Sequence, residues 1–526
     1  MHSGETLPPF LLADGEGHET SFPSGRPAVV CFVKDDCPTC HLAMPVLNAL
    51  YSASHGQFDF FVAGQTQTGN AALADTYRPG FALLDDSRLK VSFAYDIDTV
   101  PSLFLVDEDG RLERMLVGFV REEWRELAER LAGDAGVGLD WDALPEWRPG
   151  CGSLSVDPVI AERLRAESEN SPLRARRIEI APADDEFEFM FDQGFSDGLP
   201  LVPPTPERVL RMLAGTRRDP REVLGVMPPN MGEVTVEKLA INAVMAGCRP
   251  EYLPVILAAT EAILTEAYNI HGVMATTMGA SPVLVVNGPI RERIGMNMKL
   301  GALGQGNRAN ATIGRAVRLA VRNIGGAKPG GTERSTLGNP MKFTMCFAEW
   351  EERSPWPALH VERGFAADDS VVTAFTMTSG PTLIVDQDSR HAPQLAGSFG
   401  LSLESAFNPK AHFATEVLLV VCPEHVDTLM RDGYDKKAIR DRIQEVTARP
   451  LGELVEDEIS GVGFKKAAYE AMDDEAKARR LPKFRSPDDI HIVVAGSDAG
   501  KFSGAFHGWA TGEIGSISVS KKIEEA

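Results

Sequence analysis

The sequence predicts an α/β protein in two folded units, a small N-terminal one and a large C-terminal one. Three observations predict it. A chain of 526 residues exceeds one ordinary domain. Short β-rich apolar runs alternate with helical stripes along most of its length. A segment rich in Trp, Pro and Gly interrupts that alternation at 141–158. The expected division is a first domain over 1–135, a connector over 136–185 and a large α/β domain over 186–526.

Composition narrows the function classes. With 43% apolar and 24% charged residues the chain is globular, which excludes dominant disorder, a collagen-like repeat and a disulfide-stapled mini-protein. A formal net charge of −22 argues against a phosphate-backbone binder, which needs clustered Lys and Arg, so no nucleic-acid partner is expected. Residues 1–135 hold 10 Lys and Arg against 21 Asp and Glu, half of that charge on a quarter of the chain. No apolar stretch approaches the roughly 20 residues a membrane-spanning helix needs, so no membrane partner is expected. Residues 1–15 lack a basic run followed by an apolar one, and the seven cysteines are mostly dispersed. The expected compartment is the reducing cytoplasm.

In the first domain, Ala28–Val33, 58–62 and Ser102–Val106 read as strands, each apolar and bounded by polar or turn residues. Between the first two, Leu42, Pro45, Val46, Leu47 and Leu50 fall on a helical stripe over 40–52. An acidic turn at 107–110 leads into a returning strand over 111–119. The stretch 121–131 is an amphipathic helix with Glu122 and Glu123 in its first turn.

The chemistry stands at the first strand-to-helix junction, Asp35-Asp36-Cys37-Pro38-Thr39-Cys40. A Cys at a helix start meets the positive end of the macrodipole and free backbone N–H groups, which favour thiolate. A second Cys one turn on can attack a mixed disulfide and release the product. Asp36 beside Cys37 is expected to oppose thiolate formation. Val100-Pro101 enters the third strand, which makes Pro101 a candidate cis-proline. With His41 the string also spells a haem-attachment pattern, but that chemistry normally follows export; a zinc site lacks a second Cys pair.

On these residues the segment 5–132 resembles the thioredoxin superfamily, particularly its TlpA-like and peroxiredoxin-like branches. The resemblance implies a thioredoxin-like fold joined to the large α/β domain. It implies that Cys37 is the nucleophile, Cys40 the resolving thiol, and Val100 with Pro101 the substrate-docking strand. The Trp-Cys-Gly-Pro-Cys form is absent, so no reduction potential follows.

In the connector, Cys151 lies between Pro149-Gly150 and Gly152-Ser153, where flanking glycines leave the backbone free to approach a ligand. One reading makes it a relay thiol that Cys37 and Cys40 oxidise or reduce within the chain. The other makes it an incidental cysteine in a turn.

The large domain alternates helices at 235–246, 254–267 and 311–321 with strands at 282–286 and 490–495; 413–421 reads as a buried helix or strand. Gly247 is the expected cap of the first helix. The run GALGQG, with Gly304 and Gly306, opens the third, and its N–H groups with Arg308 and Arg315 form a candidate anion site. The string AGSDAGKFS at 495–503 looks like a phosphate loop but fails its spacing, and Phe502 follows Lys501 where Ser or Thr belongs. ATP hydrolysis is not expected; Lys501 and Ser503 stay candidate anion ligands. Cys248 and Cys346 are further relay candidates, and His271, His360 and Glu349 are acid/base candidates. No metal-ligand cluster is visible, so no metal and no cofactor beyond a redox-active disulfide is expected.

Four strings, DGLPLVPPTP (197–206), AGCRPEYLP (246–254), VNGPI (286–290) and GNRANATIGR (306–315), are similar to an uncharacterised bacterial domain associated with small UGSC-type selenoproteins or cysteine proteins. That resemblance implies a redox-linked setting and a thiol or selenol protein partner. The expected function is a thiol–disulfide oxidoreductase whose electrons serve a thiol-dependent reaction of the large domain or of a partner. Two alternatives stand beside it. One is a non-redox lyase, hydrolase or transferase step on a small anionic substrate; the other is a non-catalytic partner subunit. Oligomeric state is not legible.

Overall fold

In this computed structural model, which describes residues 3–133, 137–168, 171–178, 180–181, 184–512 and 515–524, the chain divides into Met1–Ile178 and Glu179–Ala526.

The first unit opens with a hairpin of β1 (Phe10–Ala13) and β2 (Glu19–Phe22). Then follow β3 (Ala28–Val33), α1 (Pro38–Ala53), β4 (Asp59–Gly64), α2 (Gln67–Tyr77), β5 (Leu83–Asp85) and α3 (Lys90–Ala94). The short β6 (Thr99–Val100) precedes β7 (Ser102–Val106), β8 (Leu112–Val117), β9 (Phe119–Val120) and α4 (Arg121–Ala132). A five-stranded sheet runs in the order β5-β4-β3-β7-β8, with β3 parallel to β4 and antiparallel to β7. Every residue of β3 is buried, as a continuous apolar run at a sheet centre should be. α4 buries Trp124, Leu127, Ala128 and Leu131, the one-sided stripe its sequence carries. The Val100–Pro101 peptide is cis, as expected.

The connector is where the structure departs from expectation. Two short strands, β10 (Trp147–Arg148) and β11 (Cys151–Gly152), pair antiparallel with β9 and β6 of the first unit, and α5 (Pro158–Ser168) follows. Gln65, fully buried, donates to Ser153 Oγ at 2.6 Å and accepts from the Leu154 N–H at 3.0 Å. The first unit therefore runs on to residue 178 instead of closing near 135. The expected boundary itself falls at 134–136, outside the described residues.

The second unit is built on a seven-stranded mixed sheet. Its strands are β12 (Ser281–Asn287), β13 (Cys346–Ala348), β14 (Val371–Val385), β15 (Thr415–Val421), β16 (Ile490–Val494), β17 (Phe502–Ala510) and β18 (Val519–Lys522). The path is β13-β12-β14-β17-β15-β16, with β18 also on β14. The ambiguous stretch at 413–421 resolves as β15. Its Val417, Leu419 and Val421 enter one core and Leu418 and Val420 another, so both faces are covered and no polar alternation marks the strand. The first core includes α9 (Ala392–Leu403), α10 (Pro423–Arg431) and α11 (Lys436–Thr447). Earlier in the chain lie α6 (Val236–Ala246), capped by Gly247 in the left-handed region (φ 87°), α7 (Leu253–Ile263) and α8 (Arg308–Asn323).

Candidate functional site

Cys37 is the N-cap of α1, with extended backbone (φ −99°, ψ 109°) and Pro38 at the first helical position. Its Sγ accepts from the Cys40 N–H at 3.3 Å and lies 3.4 Å from the Val100 carbonyl oxygen. The Lys34 N–H donates to Cys40 Sγ at 3.4 Å. Both sulfurs are fully buried.

The two thiols are driven in opposite directions. A hydrogen bond from the Cys40 thiol, against the upward push of burial, lowers Cys37 to about 5. The Cys151 thiol and the backbone N–H groups of Cys40 and Thr39 assist. Burial first, and then the charge and hydrogen bonding of Cys37, push Cys40 far up. Cys37 is thus a thiolate and Cys40 a thiol at neutral pH. The opposition expected from Asp36 does not prevail, because its carboxylate points outward and pairs with Lys34 Nζ at 3.1 Å. Lys34→Met frees that carboxylate and should raise the Cys37 pKa by about one unit, read from alkylation rate against pH. An unchanged profile contradicts this account of Asp36.

Cys151 joins this pair. β11 sets Cys151 opposite Val100 and Gly152 opposite Thr99. The hydrogen bond to Cys37, more than its slight burial, raises the Cys151 thiol. Three of the seven cysteines, all free, therefore meet at one strand–helix junction.

The large unit repeats part of this arrangement at a place the sequence reading passed over. Cys422 follows β15, whose residues are all buried, and stands before Pro423 at the start of α10, as Cys37 follows β3 and stands before Pro38. One turn on is His425 where the first unit has Cys40. His425 Nδ1 is 2.7 Å from Ser503 Oγ, and Ser503 Oγ is 3.7 Å from Cys422 Sγ. Burial opposes ionisation of both, yet the contact with His425 lowers Cys422 and the contact with Cys422 raises His425. The available signal was Cys422-Pro423-Glu424-His425 at the end of an apolar run. Ser503, expected as an anion ligand, is instead buried in this cluster.

The other candidates separate. Arg315 is not a free anion ligand: its guanidinium is bidentate on Asp197 at 2.8 and 2.9 Å and reaches the Leu199 and Pro200 carbonyls. Asp197→Ala leaves that mostly buried cation unpaired and should destabilise the large unit by about 3 kcal/mol in denaturant unfolding. Arg308 Nε donates to Gly247 O at 2.8 Å. Gly304 N–H donates to Gly301 O at 2.8 Å, and Gly306 has φ 109° where the run turns towards α8. The string at 495–503 joins β16 to β17, strand to strand, so no helix start backs a phosphate there; Lys501 is half-buried, with Nζ 3.4 Å from Gln387 O. Cys248 donates to Thr312 O at 3.3 Å and burial pushes it up to about 12; burial also pushes Cys346 up, beside Cys248. Neither is a thiolate at neutral pH. Glu349 Oε2 accepts from Asn287 Nδ2 and from the Leu359 N–H, and burial raises that carboxyl. His360 is buried 3.4 Å from Ala367 O, and His271 is exposed. Among the described residues no group of three or more His, Cys, Asp or Glu is placed to hold a metal, and no helix is long and apolar enough to cross a membrane.

Comparison with known proteins places the first unit. The AhpC/TSA family matches residues 3–115. Thiol-disulfide oxidoreductase ResA of Geobacillus kaustophilus is 27% identical over 125 residues, 23% of this chain and 72% of that protein. Sporulation thiol-disulfide oxidoreductase A of Bacillus subtilis is 26% identical over 128 residues, 23% of this chain and 78% of that protein. The crystal structure of StoA from Bacillus subtilis aligns at 24% identity and a TM-score of 0.21, over 23% of this chain and 97% of that one. The N-terminal unit contains an AhpC/TSA thioredoxin-superfamily domain with a thioredoxin-like fold.

Proposed function

We propose that this thioredoxin-superfamily domain works as a thiol–disulfide oxidoreductase through Cys37 and Cys40, and that its electrons serve a thiol-dependent reaction of the large unit or of a thiol or selenol protein partner. The observation that carries the reading is the opposite displacement of two thiols one helical turn apart, Cys37 down and Cys40 up. The relatives' names support the same chemistry.

The cycle follows from those two states. Cys37 thiolate attacks one sulfur of an external disulfide, a Cys37–substrate bond forms, and the other sulfur leaves as thiolate. With its charge consumed, Cys37 no longer holds the Cys40 proton in place. Cys40 then loses that proton and attacks Cys37 Sγ. The Cys37–Cys40 disulfide closes and the second substrate thiol departs, so the substrate gains the two electrons the pair gives up. In the large unit, Cys422 and His425 favour a thiol-dependent step over an anion-binding one, since Arg315 is already paired with Asp197.

The test is a trap. In the full chain with both Cys40→Ser and Cys151→Ser, which removes the two thiols next to Cys37, mixed disulfides on Cys37 should persist on a non-reducing gel after exposure to oxidised insulin and vanish with reductant. A chain that reduces insulin with dithiothreitol yet traps nothing contradicts the resolving role of Cys40.

A further inference from the structure

We infer that Cys151 is the third sulfur of the redox centre, and that the strap carrying it, residues 147–156, serves Cys37 as an internal substrate and as its outlet. The inference rests on the cycling of Cys37 and Cys40 proposed above and adds a partner for it within the same chain.

The geometry points to a seated strap and not to a chance neighbour. Cys37 is fully buried, so in this conformation an external disulfide does not reach it. Part of the cover is β11, paired to β6 with Cys151 opposite the same Val100 whose carbonyl lies 3.4 Å from Cys37 Sγ. The strap is fastened to the segments that carry the thiols. Thr39, between Cys37 and Cys40, donates through Oγ1 to Pro149 O at 2.6 Å. Lys34, just before them, donates through Nζ to Gly152 O at 3.0 Å. Beyond Cys151, the Ser153 N–H donates to Asp98 O at 2.9 Å, and Ser155 Oγ donates to Ile97 O at 2.8 Å. The approach is close enough that Gly150 admits no side chain: a Cβ there falls 2.6 Å from Val100 O and 2.3 Å from Thr99 Cγ2. A cysteine idle in a turn needs none of these fastenings.

The exchange this permits is balanced within the chain. Starting from the Cys37–Cys40 disulfide, Cys151 loses its proton and attacks Cys37 Sγ. The Cys37–Cys151 bond forms, the Cys37–Cys40 bond breaks with its electron pair left on Cys40 Sγ, and Cys40 takes up a proton. No further oxidant is consumed; the disulfide has moved. Cys151 is the one sulfur of the three with solvent exposure. An external thiolate attacking Cys151 Sγ expels Cys37, the best leaving group of the three, and forms a Cys151–partner disulfide. Attack in the reverse sense delivers electrons from the reduced centre to that partner. Cys151 thus lets a macromolecular thiol exchange with a nucleophile that it does not touch.

Disulfide mapping tests this on the full chain. The protein is oxidised with glutathione disulfide, blocked with N-ethylmaleimide and digested without reductant. Wild type should yield peptides joined Cys37–Cys151 beside those joined Cys37–Cys40, and Cys40→Ser should yield the Cys37–Cys151 link as its main product. Gly150→Val unseats the strap and should cut that link about ten-fold while speeding Cys37 alkylation about ten-fold in the reduced protein. Thr39→Val, which removes only the Pro149 contact, should move both readings in the same direction by less, and it carries the test if the valine chain does not fold. A wild type linked only Cys37–Cys40, with no Cys37–Cys151 product in Cys40→Ser, overturns the inference. Insulin reduction keeps the two claims apart. Turnover without the link removes the strap and leaves the oxidoreductase; the link without turnover does the reverse.

Discussion

Cys37→Ser should abolish disulfide reduction, lowering turnover by at least about a thousand-fold. The sulfur at this position is the only one of the centre held as thiolate at neutral pH, and a serine hydroxyl stays protonated there. Cys40 is no substitute. Burial raises its thiol, and it lies a full turn inside α1 and away from solvent. The substitution should leave the fold nearly unchanged, because serine is a good N-cap and its oxygen can accept from the residue 40 N–H as sulfur does now. Thermal unfolding of the variant separates lost chemistry from lost structure. Turnover above a tenth of wild type, from a folded variant, contradicts the assignment.

The second large effect is on pH dependence. Alkylation of Cys37 by iodoacetamide should reach half its maximal rate near pH 5, where an unperturbed thiol does so near its ordinary value of 9. The same displacement makes the reduced protein's stability depend on pH. Between about pH 5 and 9 the unfolded chain binds the Cys37 proton and the folded chain does not, so stability rises with pH across that window. The slope approaches about 1.4 kcal/mol per pH unit for one such group. The stabilisation is fully present above the unfolded value and is lost as pH falls through about 5. The oxidised protein has no Cys37 proton to exchange and should lack this slope. Denaturant unfolding of both forms at pH 5.5 and 7.5 should therefore show the reduced form gaining about 2 to 3 kcal/mol on the oxidised one. Parallel behaviour of the two forms contradicts the thiolate.

What could be read from the sequence was local. β3, the helix start at Cys37 and the strand that follows Pro101 each announce themselves within a few residues, by apolar runs, a cap and a proline. What could not be read was pairing across distance. Cys151 looked like a cysteine between glycines, and its meaning lies in Val100, to which nothing in its own neighbourhood refers. Asp36 looked like a threat to the thiolate because sequence adjacency gives no direction; the structure turns it towards Lys34. Arg315 looked available for an anion until Asp197, from a distant loop, took both sides of its guanidinium. The pair of Cys422 and His425 was local and still missed, because the stretch before it reads equally as helix or strand and so marks no strand-to-helix junction at Cys422. The lesson for β15 is similar: with both faces covered, its sequence carries no alternation to distinguish strand from helix.

The central claim is that Cys37 and Cys40 exchange a dithiol for a disulfide. The most direct measurement equilibrates the full chain with defined ratios of reduced and oxidised glutathione, blocks free thiols and weighs the peptides. The account predicts one two-electron transition in which Cys37 leaves the alkylated pool together with Cys40 or Cys151, while buried Cys248 and Cys346 do not change. Cys37 remaining alkylated at every glutathione ratio contradicts it.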